Sequence, residues 1–104
     1  MTEQTKTGLG IEDIIGNKRD DILRLAAQYG AFNVRVFGSV ARGEAREDSD
    51  VDFLVDFKSG YRLMEHVGFV VDLQELLGRR VEVAIEKNLR EELRPYIMKD
   101  ITPL

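Results

Sequence analysis

A chain of 104 residues, 43% hydrophobic and 33% charged, has the bulk of one globular domain able to bury its own core, with little room for a second. It contains no cysteine and a single histidine, which excludes disulfides, thiolate catalysis, sulfur-rich zinc sites and histidine clusters; any bound metal must be held by carboxylate oxygens. The net charge of -4 argues against a broad nucleic-acid footprint, and no apolar run is long enough to span a bilayer, so a cytoplasmic protein is expected, with neither a membrane nor nucleic acid as direct partner.

The first ten residues, MTEQTKTGLG, are polar, lack the apolar core of a signal peptide and are expected to be loose, leaving a single domain over residues 11–104. Ile11, Ile14, Ile15, Ile22, Leu25, Ala26 and Tyr29 recur at helical spacing, with Gly30 placed as a C-terminal cap and Gly16-Asn17 as a split point. VRVFGSV alternates with period two and predicts a strand ending at Gly38. The polar ARGEAREDS after it predicts a loop with room for one helical turn, and residues 51–57 predict a second strand. Ser59 is suited to cap a helix whose inward face would be Leu63, Met64, Val67, Val70, Val71, Gln74 and Leu77, closed by Gly78. RVEVAI predicts a third strand, and Asn88 opens a last helix carrying Leu89, Leu93, Ile97 and Ile101, bent or interrupted at Pro95. Only the connection between the second and third strands is long enough for an obvious crossover. The expected class is therefore α+β, a two-layer mixed β-sheet with helices packed against it.

Asp50 and Asp52 open the second strand, and side chains two apart share a face, so both carboxylates point away from the side taken by Val51, Phe53 and Val55. Neighbouring carboxylates repel. A strand entrance in open water tolerates that, and so does a site where divalent cations cancel the repulsion. Gly38-Ser39, at the end of the preceding strand, adds a second feature: glycine permits close backbone approach, and free N–H groups with a serine hydroxyl at a nascent helix can cradle phosphate oxygens. A phosphate seat beside a metal-binding acid pair suggests a nucleoside triphosphate with magnesium. Glu47 and Asp48 read as loop charges, Asp56 as the end of the strand, and His66, Tyr29, Tyr61 and Tyr96 as packing or surface residues.

Gly-Ser, ten residues, then Asp-x-Asp resembles the signature of the DNA polymerase β-like nucleotidyltransferases, and VRVFGSVARGEAREDSDVDFLVDF looks like their minimal nucleotidyltransferase branch. RLMEHVGFVVDLQELLGRRVEVAIEKNLREELRPYIMKDI resembles the second half of that branch, so the likeness covers nearly the whole chain. The resemblance implies the polymerase β-like nucleotidyltransferase fold and a third carboxylate from a later strand, at the position of Glu82. The branch more often carries aspartate there. One extra methylene can move a carboxylate by about an ångström, and an error of that size can cost about a hundredfold in rate.

The chemistry implied is transfer of AMP from ATP to a hydroxyl. Two Mg2+ ions would be held by Asp50, Asp52 and Glu82, which form the catalytic set, while Gly38, Ser39 and Arg42 would bind the nucleotide phosphates. Minimal nucleotidyltransferases of this kind resemble the antitoxin half of two-gene toxin–antitoxin modules, which implies adenylylation of a tyrosine on a HEPN-family ribonuclease toxin encoded nearby. Two alternatives stay open at this point. One is a catalytically weak or inactive antitoxin that occludes its toxin; the other is a small-molecule nucleotidyltransferase working as a dimer.

Overall fold

The structure of the protein is a computed structural model that describes residues 8–104. The expectation of a loose start falls, for residues 1–7, outside the described residues. Leu9 is not loose: it exchanges two backbone hydrogen bonds with Ala45, at 2.8 and 3.0 Å.

Helix α1, Ile11–Ile14, gives way to a 3-10 turn at Gly16–Lys18 before α2, Arg19–Gln28, so the chain breaks where Gly16-Asn17 suggested. α2 buries Ile22 and Ala26, and Gly30 follows in the left-handed region, φ +78°. Strand β1, Ala31–Phe37, starts earlier than the alternation of VRVFGSV indicated, because Asn33, φ +55°, inserts a bulge that shifts the register between Phe32 and Arg35. The Gly38-Ser39 end of that motif is helical, opening α3, Gly38–Arg42. β2, Val51–Phe57, is where the pattern placed it, and β3 spans Val81–Ile85.

The strand order is β3-β2-β1-β4. β1 and β2 pair antiparallel, β2 and β3 parallel, and the crossover between the last two is α4, Leu63–Leu77. One face of the sheet, with Val36, Val51, Phe53, Val55 and Val83, closes on Ile22 and Ala26 of α2 and on Phe69 and Leu73 of α4. Among the described residues no helix is long and apolar enough to cross a membrane.

α4 corrects two expectations. It begins at Leu63 with Arg62 as the capping position, not at Ser59; the Arg62 N–H donates to Glu65 Oε1 at 2.5 Å. Its inward residues are Phe69 and Leu73, both fully buried, with the expected Val70 and Leu77 packed partly against the core, whereas Leu63, Met64, Val67 and Val71 are 45–73% exposed. The helix is apolar on most sides, so periodicity alone did not choose its rotation. Specific contacts do. A Cβ on Gly68 would run into the Tyr29 ring, so the missing side chain admits that tyrosine, whose hydroxyl donates to Asp72 Oδ2 at 2.5 Å.

On the opposite flank, Val51 N–H donates to the Arg80 carbonyl, so even-numbered residues around β3 turn their backbone toward β2 and odd-numbered ones toward the free edge. There His66 Nε2 donates to the Val83 carbonyl at 2.8 Å and Gln74 Oε1 accepts from Val81 N–H at 3.1 Å. α4 thereby satisfies an edge that would otherwise be open to another strand.

The C-terminal part departs furthest from its pattern. In place of one bent helix from Asn88 there is a 3-10 turn, Glu86–Asn88, then α5, Arg94–Met98, and a short strand β4, Thr102–Pro103, antiparallel to β1. Pro95 lies in the first turn of α5, where its missing N–H leaves no hydrogen bond unmade; it starts the helix instead of bending it. On the sheet face away from α2 and α4, Arg35 is buried and donates to Glu86 Oε1 at 2.5 Å, and Arg94 reaches Glu86 Oε2 at 3.1 Å. Together these two guanidinium groups hold the Glu86 carboxyl below its usual range, with the Arg35 bond the larger cause.

Candidate active site

Gly38 follows the last residue of β1 with φ +79°, a conformation that L side chains rarely adopt. A Cβ there would overlap Asp52 Oδ2, so the absence of a side chain lets the carboxylate lie against the turn. Register explains the meeting. Asp52 is paired with Phe37 of β1 on one side and with Glu82 of β3 on the other, which puts it between the Gly38-Ser39 turn and a second acid.

The Asp52 and Glu82 carboxyls face each other across the β2–β3 rung. Partial burial, then the charges of Glu82 and Asp50, then the close approach of Glu82, push the Asp52 carboxyl up to about 6; the Arg42 charge works the other way. The longer side chain of Glu82 does not take it out of reach of its neighbour.

Asp50 stands one residue before β2, and its Oδ1 lies 3.2 Å from Arg80 Nε. Ser39 is half-buried in the first turn of α3. Arg42, at the far end of that helix, donates through Nε to Glu44 at 3.0 Å and through Nη1 to Asp100 at 3.0 Å, so the guanidinium is held by carboxylates. Of the sequence-nominated residues, the structure thus brings Gly38, Asp52 and Glu82 into contact, keeps Asp50 beside them on an arginine, and ties Arg42 to the C-terminal segment.

Glu47 and Asp48 are exposed in the loop, and Asp56 accepts from Asn33 Nδ2 at 3.0 Å. Sequence reasoning passed over Arg80 and Asp100. Arg80 was discoverable, since it precedes Glu82 by two and shares its strand face. Asp100 had no local signal, its partner being 58 residues away.

Among the described residues no three acidic or histidine side chains close round one point as they stand. The donor chemistry nonetheless suits a hard divalent cation. Asp52 and Glu82 are adjoining carboxylates whose mutual repulsion a bound cation would relieve.

The family model for the nucleotidyltransferase domain matches residues 20–103. The chain belongs to that family. This nucleotidyltransferase is 36% identical over 77 residues to protein adenylyltransferase MntA of Thermococcus cleftensis, covering 74% of this chain and 78% of the relative. It is similar to a solved structure described as a "putative minimal nucleotidyltransferase", with TM-score 0.80, 45% identity, and coverage of 92% and 97% of the two chains. A crystal structure of a toxin-antitoxin with AMP-PNP superposes with TM-score 0.70 at 16% identity, over 81% of this chain and 69% of the other; at that identity the likeness is one of fold. The mixed sheet with its helices is accordingly a nucleotidyltransferase fold, and the protein is a nucleotidyltransferase enzyme.

Proposed function

We propose that this enzyme transfers AMP from ATP to a tyrosine hydroxyl of a HEPN-family ribonuclease toxin encoded nearby, acting as the antitoxin of the pair. The observation that carries the reading is Asp52, pressed against Gly38 and paired across the sheet with Glu82, in a chain 36% identical to a protein named as a protein adenylyltransferase. The first supports a reading of the acids as neighbours of a phosphate seat; the second favours a protein as acceptor.

In this reading the α-phosphate lies over Asp52 and Glu82, while the Gly38 amide, Ser39 and Arg42 hold the phosphates beyond it. The tyrosine oxygen forms a bond to the α-phosphorus as the bond from that phosphorus to the bridging oxygen breaks. Pyrophosphate leaves with the electron pair, and Glu82 accepts the tyrosine proton. Asp50, Asp52 and Glu82 would hold two Mg2+ ions, which supply acidity to the attacking hydroxyl and neutralise charge on the departing group. Asp52 serves as an anion here, the form it takes as pH rises above about 6.

The test is transfer of label from ATP, with magnesium, to the product of the adjacent gene. The unsubstituted enzyme should label that product on tyrosine, and Asp50→Asn with Asp52→Asn should reduce labelling to background. A partner that is bound tightly but never gains mass would replace this reading with occlusion. Label appearing on a small hydroxylated compound without any partner would make the enzyme a small-molecule transferase.

A further inference from the structure

Arg80 continues the alternation of β3 backward by one residue and faces the same side of the sheet as Glu82. The β2–β3 register sets Val51 opposite Val81 and Asp52 opposite Glu82, which brings Asp50 opposite Arg80, at 3.2 Å. Two rungs result. One is acid facing acid, Asp52 with Glu82, and the next is acid facing base, Asp50 with Arg80.

The Arg80 side chain is 78% exposed, unlike that of Arg42, which is 41% exposed and already bonded to two carboxylates. We propose that Arg80 binds the phosphate chain of the incoming nucleotide, with the Asp50 carboxylate taking the place of that anion in the nucleotide-free enzyme. The inference rests on the reading of this face as a triphosphate site. An exposed arginine–carboxylate pair is weak because water screens it, so it yields readily to a polyanion of higher charge. The guanidinium fork suits two phosphate oxygens at once, and its transfer would leave Asp50 free on the side of the acid pair.

ATP affinity of the full chain, measured by calorimetry with magnesium and again in chelator, tests this. Arg80→Ala should weaken ATP and inorganic tripolyphosphate about tenfold in both conditions, as loss of a charged hydrogen-bonding group predicts, and leave AMP nearly unchanged. Arg80→Lys should recover part of the loss, and the ATP KM should rise more than kcat falls.

A role exerted only through Asp50 is separated by repeating Arg80→Ala in an Asp50→Asn background in chelator, where there is no carboxylate left to position. Persistence of the tenfold loss there supports direct contact. A change below about twofold there, with the unsubstituted chain binding ATP normally, overturns the inference while leaving the triphosphate site intact. Failure of the unsubstituted chain to bind ATP under either condition overturns both.

Discussion

Burial beside two other acids holds the Asp52 carboxyl at about 6 against an ordinary value of 3.8. Between those values the unfolded chain releases the proton and the folded one keeps it. Folding is therefore helped by this group below about pH 4, and the help is lost as pH rises through about 6. Above that, the native state carries a partly buried carboxylate among like charges. In chelator, Asp52→Asn should thus be more stable than the unsubstituted enzyme by on the order of 1–2 kcal/mol near pH 7.5, the gap closing toward pH 4. Denaturant unfolding at a series of pH values checks this, and a gap that does not change with pH would contradict it. At this scale the sequence was informative, because strand parity alone put Asp50 and Asp52 on one face and Glu82 opposite Val81 and Val83. What it lacked was the register. Spacing along the chain says nothing of whether Glu82 faces Asp52 or a residue two places away, and that pairing decides whether the two carboxylates perturb each other.

α4 shows how an element can be found correctly and its buried face only partly placed, with Val70, Gln74 and Leu77 inward as expected but Phe69 and Leu73 at the centre. Its existence, its length beyond Leu63 and its Gly78 cap follow from local signals. Its rotation follows from four partners distant in sequence: the Tyr29 ring over Gly68, the Tyr29 hydroxyl on Asp72, the Val83 carbonyl on His66 and the Val81 N–H on Gln74. Gln74, a polar residue on an otherwise apolar stripe, is an anchor to the edge strand. The consequence is measurable by thermal or denaturant unfolding. Phe69→Ala should cost about 3–5 kcal/mol, since it empties a fully buried position. Met64→Ser combined with Val67→Ser, on the face first assigned to the core, should stay within about 1 kcal/mol, most of it helix propensity. The reverse ranking would mean the helix is rotated from the orientation described.

Across the whole molecule, the C-terminal segment is joined to the rest by contacts that leave no trace in periodicity. Arg35 meets Glu86 across 51 residues, Arg42 meets Asp100 across 58, and β4 pairs with β1. The Arg42 link bears on catalysis, because the residue nominated for phosphate binding is tied to Asp100, whose side chain is only 16% exposed. Both of its carboxylate partners raise the affinity of Arg42 for its proton, Glu44 more than Asp100, and neither changes its charge at any working pH. In the proposed reading they would compete with the nucleotide for that guanidinium. Asp100→Asn removes one competitor and one negative charge near the site, so ATP should bind a few-fold more tightly. Stability should fall by no more than about 1 kcal/mol, as for a partly exposed ion pair. Raising salt should narrow the difference in affinity, since Arg42 is open enough to be screened. If ATP instead bound more weakly to Asp100→Asn, the carboxylate would be holding Arg42 ready for phosphate, and the C-terminal segment would belong to the site as its support.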